Sequence, residues 1–282
     1  MRVIFMGTPQ FAIPTLERLL DSSHQVVAAI SQPDRRAGRG QHVKPTPVKE
    51  TAQLAGIPVL QPESVRTPEF LALLQELEPQ VIVVVAYGKI LPEPVLTLPE
   101  YGCLNVHASL LPKYRGAAPV QWAIINGERK SGVTIMQMDV GMDTGNIIRQ
   151  QEVDVLDDDD AISLGDMLSV VGAKCLLDSL DEIEQTQVVA STPQDNEQAT
   201  RAPLLTKEDG HLDWEQDPEA IICRIVGLKP WPGAFGETAK GTFRFLRAIS
   251  FYPEEAETFL SRDQEVGEVI DLLSDRGPVV RT

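Results

Sequence analysis

The sequence predicts an α/β protein: an open, mostly parallel sheet covered by helices on both faces, followed by a smaller β domain. Three observations carry this. Short apolar runs alternate with helical patterns in the first two thirds of the chain, polar residues close several of those runs, and a polar, proline-bearing stretch near residue 200 precedes a region of short strands. A length of 282 residues suits two domains better than one.

The run Val3-Ile4-Phe5-Met6 ends at Gly7, and Thr8-Pro9 leads into a helical pattern through Phe11, Ile13, Leu16, Leu19 and Leu20. Residues 26–30 read as a second buried strand, 48–55 as a helix, 57–60 as a short strand and 68–77 as a helix. Residues 81–86 form the most hydrophobic run in the chain and are rich in valine, as a strand buried on both faces requires. Strands at 102–104 and 133–138 follow. The acidic run 157–160 reads as the N-terminal charge cluster of a helix over 160–183, favoured by the helix dipole, rather than as a metal site.

Residues 190–206 have the composition of a linker, which divides the chain into a catalytic domain at 1–189 and a second domain at 207–282. The second begins with a helix over 218–228 and the turn Lys229-Pro230-Trp231-Pro232-Gly233. Strands near 234–237, 242–251, 266–272 and 279–281 then suggest a small β-barrel. Trp231 is expected to pack between strand and helix rather than to stack on a base.

Composition narrows the function. A hydrophobic fraction of 43% and a charged fraction of 23% are ordinary for a globular chain. Cys103, Cys175 and Cys223 are far apart with no C-x-x-C spacing, so they read as reduced core thiols and not as a zinc clamp or redox pair. The opening Met-Arg-Val-Ile-Phe-Met-Gly lacks a basic head and cleavage site, and no apolar run approaches about 18 residues, so a cytoplasmic protein without a membrane span is expected. The net charge of −16 opposes general binding to nucleic acid. Locally the balance reverses: Arg35, Arg36, Arg39, Lys44 and Lys49 stand against Asp34 within 34–49, a charge of +4 with His42 neutral, enough to hold an RNA end.

In open α/β sheets ligands bind beyond the carboxyl ends of the strands. Three such ends are polar here: Tyr87-Gly88-Lys89-Ile90, Asn105-Val106-His107-Ala108-Ser109 and Asp139-Val140-Gly141-Met142-Asp143-Thr144-Gly145. Asn105 and His107 are two apart on one strand and so face the same way. Asp143 lies between Gly141 and Gly145, where the chain can turn sharply and return a carboxylate to its neighbours. A carboxamide, an imidazole and a carboxylate are what acyl transfer to an amine needs: a donor for the oxyanion, a proton relay and an opposite charge for the ring. The spacing alone is weak, because a lone histidine near a strand end is more often structural.

The run 105–119, NVHASLLPKYRGAAP, together with Gly132-Val133-Thr134-Ile135-Met136 and Asp143-Thr144-Gly145, resembles the folate-dependent formyltransferases. The resemblance implies a Rossmann-like sheet with an OB-like second domain, 10-formyltetrahydrofolate as co-substrate, no metal, and Asn105, His107 and Asp143 as catalytic residues. It places the folate against Tyr87, Gly88, Lys89, Ile90 and Leu91, against Ser109, Leu110, Leu111 and Pro112, and against Val140 and Gly141. Within the family the likeness is nearest to members acting on initiator methionyl-tRNA, through Phe5-Met6-Gly7-Thr8-Pro9, the loop from Gln32 to Gly40 and Pro230-Trp231-Pro232-Gly233.

That likeness implies tRNA contacts from Arg35, Arg36, Arg39, His42 and Lys44, with Arg39 reaching the end of the acceptor stem, in a protein expected to be a monomer. Members acting on small amines, glycinamide ribonucleotide or an amino sugar, would keep the three site residues but have no need of the basic loop. A dinucleotide oxidoreductase is disfavoured, since Gly7-Thr8-Pro9 is not G-x-G-x-x-G. In the family the second domain usually runs on through further strands and a basic stretch, whereas 207–282 carries 9 basic and 15 acidic residues. The segment is therefore either a short form of that domain or a part of it.

Overall fold

The computed structural model describes residues 1–37, 42–238, 241–250, 265–273 and 277–282. Strand Arg2–Gly7 (β1) buries Val3, Ile4, Phe5 and Met6 completely, which is why every one of these positions is apolar. A 3-10 turn leads into helix Ile13–Leu20 (α1), with Leu16 and Leu19 buried. Strand Gln25–Ile30 (β2) is followed by a two-stranded antiparallel ribbon, Arg35–Ala37 (β3) and His42–Lys44 (β4), with Arg35 opposite Lys44. Helices Pro47–Leu54 (α2) and Pro68–Glu76 (α3) both begin at a proline after a threonine cap. The Thr46 and Thr67 hydroxyls accept from the amides of Lys49 and Phe70, each at 3.2 Å. Strand Val59–Leu60 (β5) lies between these helices in sequence.

Strand Val81–Val85 (β6), helix Glu93–Leu96 (α4), strand Cys103–His107 (β7), helix Pro119–Ile125 (α5), strands Lys130–Gln137 (β8) and Ile147–Asp154 (β9) and helix Ala161–Thr186 (α6) complete this part. The central sheet has seven strands in the order β5-β2-β1-β6-β7-β8-β9. It is parallel from β5 to β7, while β8 is antiparallel to both of its neighbours, β7 and β9. The chain moves outward from β1 to β5 and then restarts at β6 on the other side, so strand order reverses between β1 and β6, the place where such sheets bind ligands.

The mostly parallel α/β sheet expected from the sequence is present. Four elements were not anticipated: the β3–β4 ribbon, α4, α5 and β9. Strand β9 is an edge, and its Arg149-Gln150-Gln151-Glu152 core is too polar to read as a strand. The acidic run at 157–160 does begin α6: Asp160 Oδ1 accepts from the amides of Ile162 at 2.9 Å and Ser163 at 3.0 Å. Cys103 and Cys175 are free, buried thiols, pushed up by burial to about 12 and about 11, whereas Cys223 is half-buried.

The chain forms two compact units, one of residues 1–119, 130–154 and 165–203, the other of 120–129, 155–164 and 204–282. The stretch read as a linker is tied into the first unit through residue 203, with Thr192 bridging Ile147 and Arg201 bridging Arg115. Most of its polar side chains stay exposed, and the ties are backbone bridges together with a few side chains, Gln194 and Thr200 among them. The second unit contains helix Pro218–Gly227 (α7) and two antiparallel ribbons. The ribbons pair Ala234–Thr238 (β10) with Gly241–Phe245 (β11), and Val269–Leu273 (β12) with Gly277–Val280 (β13). Trp231 is 55% exposed, contrary to the packing role expected of it; Trp214 packs instead, edge-on to Phe245 at 5.2 Å between ring centroids.

Candidate active site

Strand β7 sets two of the three expected catalytic residues, and alternation along it puts Asn105 and His107 on one face. His107 is 6% exposed. Its Nε2 lies 3.0 Å from the carbonyl of Tyr114. A carbonyl only accepts, so Nε2 carries the proton. Its Nδ1 faces Asp143 Oδ2 at 3.8 Å. The same Oδ2 accepts from the Gly116 amide at 2.8 Å. The structure therefore brings His107 and Asp143 together, with Asn105 one pleat away. Asn105 is half-buried, and among the described residues no side-chain hydrogen bond occupies its carboxamide.

Backbone conformation at the site is unusual in a consistent way. Ala86, Tyr114 and Asp143, none of them glycine, take φ values of 47°, 61° and 54°. Such left-handed residues persist only where neighbours hold them. The glycines flanking Asp143 serve another purpose than φ. A Cβ on Gly145 would stand 1.8 Å from the Gln137 carbonyl, so the loop can lie against β8 only because that atom is missing.

The loop after β6 offers backbone more than side chains. Tyr87 is 2% exposed and belongs to the core, and burial pushes its phenol up to about 12. Its carbonyl accepts from Thr8 Oγ1 at 3.2 Å and Gln32 Nε2 at 3.1 Å, which fixes the loop across the reversal point between β1 and β6. Gly88 has φ +83°. Lys89 is held to the carbonyls of Pro62 at 2.9 Å and Glu63 at 2.7 Å, Leu91 is buried, and Ile90 is exposed.

On the other side Ser109 donates to the Lys113 carbonyl at 2.6 Å, and Leu110 and Pro112 are half-buried. Leu111 is buried, with its amide bonded to Thr134 Oγ1 at 3.0 Å. Gly141 and Val140 are exposed, as is Met142. A cleft of about 480 Å³ is lined by Leu96, Gly102, Gln137, Met138, Asp139 and Val140 among others; of the expected folate contacts only Val140 lines it.

The basic segment forms the β3–β4 ribbon. Arg35 and Lys44 are exposed and opposite each other, Arg36 and His42 lie in its strands, and Arg39 lies outside the described residues. Lys49 does not add to this patch, because its Nζ is paired with Asp34 at 2.5 Å. The hydrogen bond from Lys49, and then that from Gln61, holds the Asp34 carboxyl below its ordinary range.

Residues 1–180 match the model of the formyl transferase family, and 204–282 match that of the formyl transferase C-terminal domain. The chain belongs to the formyl transferase family. It is thus an enzyme of one-carbon acyl transfer. Among similar proteins, a methionyl-tRNA formyltransferase from Caldanaerobacter subterraneus subsp. tengcongensis is 54% identical over 236 residues, 83% of this chain and 76% of its own. Two solved structures share the fold. A methionyl-tRNA formyltransferase from Clostridium thermocellum gives a TM-score of 0.60 at 18% identity, over 89% of this chain and 94% of its own. HypX from Aquifex aeolicus in complex with tetrahydrofolic acid gives 0.63 at 19%, over 84% of this chain and 36% of its own.

Sequence reasoning missed Tyr114, Thr8, Gln32 and Gln194: Tyr114 acts through its backbone carbonyl, Thr8 through its hydroxyl, and Gln32 and Gln194 through their carboxamides. The only signal for Tyr114 was its place inside the run 105–119.

Proposed function

We propose that the chain transfers the formyl group of 10-formyltetrahydrofolate to the α-amine of initiator methionyl-tRNA in the cytoplasm, as a monomer. The observation that carries the reading is the His107 ring between the Tyr114 carbonyl and the Asp143 carboxylate, with the Asn105 carboxamide, free of side-chain hydrogen bonds among the described residues, on the same strand face. The surroundings suit a folate: a backbone-rich loop at 87–91 offers polar groups for a flat heterocycle, and Ile90, Val140 and Met142 leave apolar surface exposed.

The methionyl amine has an ordinary pKa of about 7.7–8.0 and needs little help to become a nucleophile. As it bonds to the formyl carbon, the carbonyl electron pair moves to oxygen. Asn105 donates to that oxyanion, and His107 stabilises it while relaying the proton released by the attacking nitrogen to the nitrogen that departs. An imidazolium formed on the way meets the Asp143 carboxylate across Nδ1. Arg35, Arg36, Arg39, His42 and Lys44 hold the acceptor end of the tRNA.

Transfer of labelled formyl from the folate to methionyl-tRNA and, separately, to small amines tests the reading. Product on the tRNA alone is expected. Comparable rates on glycinamide ribonucleotide or an amino sugar would move the chain to the small-amine branch.

A further inference from the structure

Residues 190–206 have the composition of a connector, yet Gln194 and Thr200 within them hold both neighbours of the His107 ring. We propose that Gln194 is a positioning residue, a clamp across two carbonyls that fixes the loop presenting Asp143 to His107. The proposal rests on the catalytic reading of Asn105, His107 and Asp143 given above.

The Gln194 carboxamide is fully used. Its Nε2 donates to the carbonyl of Asp143 at 2.9 Å and to that of Gly145 at 2.7 Å. Its Oε1 accepts from Arg115 Nε at 3.0 Å and Nη2 at 2.7 Å. Two protons and two lone pairs are therefore satisfied by two segments that flank the ring. Arg115 follows Tyr114, whose carbonyl receives His107 Nε2, and Asp143 supplies the carboxylate facing Nδ1. One side chain ties those segments together.

The clamp is itself anchored. Thr192 and Ile147 exchange backbone hydrogen bonds of 2.8 Å in both directions. Thr200 Oγ1 accepts from the Tyr114 amide at 2.8 Å, and the Thr200 carbonyl from the Arg115 amide at 2.9 Å. Arg115 Nη2 also reaches Asn196 Oδ1 at 2.8 Å. Asp143 needs such support, since its φ of 54° is one that a residue with a side chain rarely keeps unaided. The distance from Nδ1 to Oδ2, 3.8 Å, depends directly on where that backbone sits. A misplacement of about 1 Å at a reacting group can lower a rate by about 100-fold.

The test compares Gln194→Leu, Gln194→Glu, Asp143→Asn and the double variant Gln194→Leu with Asp143→Asn, in the full chain, by steady-state kinetics and thermal unfolding. Both Gln194 variants should lower kcat by about 10- to 100-fold, as loss of a supporting partner does. KM for folate and for methionyl-tRNA should stay within about twofold. The double variant should be no slower than Asp143→Asn alone, because the clamp works through Asp143.

Gln194→Glu keeps an acceptor for Arg115 and removes both donors to the carbonyls. Parental activity in it would assign the role to the Arg115 pairing and overturn the clamp. Parental kcat in Gln194→Leu, or losses that multiply in the double variant, would overturn it as well. Should Gln194→Leu fail to fold, Gln194→Glu alone and combined with Asp143→Asn decides the same question. An Asp143→Asn protein as fast as its parent would instead remove the catalytic reading on which the clamp depends.

Discussion

His107 and His24 are alike in several ways: both are buried, at 6% and 5% exposure, and both face carboxylates, His107 as the last residue of β7 and His24 just before β2. Their partners separate them. His24 Nδ1 lies 3.2 Å from the Met1 ammonium, and Nε2 lies 3.2 Å from Asp181 Oδ1, with Glu184 at 3.8 Å from Nδ1. An ammonium can only donate, so this ring accepts at Nδ1 and is neutral there. Burial first, and then the ammonium, lowers its pKa from the ordinary value, against the carboxylates that raise it. His107 has a backbone carbonyl on one nitrogen, a carboxylate across from the other, and on its own strand face Asn105, whose carboxamide makes no side-chain hydrogen bond among the described residues. A buried histidine facing an acid is therefore no mark of catalysis by itself. What distinguishes His107 is an available donor on its own strand face.

The largest effect that could break this contrast is on turnover. His107→Gln should lower kcat by about 10²–10⁴-fold, the usual contribution of a proton-relaying side chain, while His24→Gln keeps the parental value. Equal losses in both would mean that burial, and not the partners, governs the outcome. Next, Asn105→Ala should reduce kcat by about 10²–10³-fold with little change in folate KM; a loss confined to KM would make Asn105 a binding group only.

A smaller effect sharpens the contrast between the His107 site and the basic ribbon. Replacing Arg35 and Lys44 together by alanine should raise KM for methionyl-tRNA and make its log–log salt dependence shallower by about 1 to 2, leaving saturated turnover unchanged. A salt slope identical to the parent's would take the ribbon out of RNA binding. The smallest expected effect is on stability against pH. Folded His24 binds its proton less tightly than the unfolded ring, so protonation favours the unfolded chain. Its contribution is whole above about pH 6.5 and is lost progressively as the pH falls below that value. Tm should fall between about pH 7.5 and about pH 5.5, and His24→Gln should flatten part of that decline; equal slopes in the two proteins would remove His24 from the titration.

Much of the architecture was legible because burial on both faces dictates composition. Residues 81–86 read as a central strand since every position in β6 is buried and apolar. Edge elements gave no such signal: β9 is half-exposed and polar, and the β3–β4 ribbon is short and charged. The stretch 190–206 shows the same limit of composition. A polar stretch with prolines looks the same whether water or another part of the chain satisfies its hydrogen bonds, and Thr192, Gln194 and Thr200 are satisfied by the chain.

By itself the sequence determined the alternation that builds the sheet, the shared face of Asn105 and His107, and the run that marks the family. Side-chain type and a period of two carry those features locally. Only the tertiary structure decided that the Tyr114 carbonyl orients the His107 ring, that Thr8 and Gln32 meet at the carbonyl of Tyr87, and that Gln194, 51 positions away, grips the carbonyl of Asp143. The reason is physical: every residue has a carbonyl, so no letter of the sequence announces which one will receive a bond, and a glutamine far along the chain finds its partner only when the sheet has brought the two together.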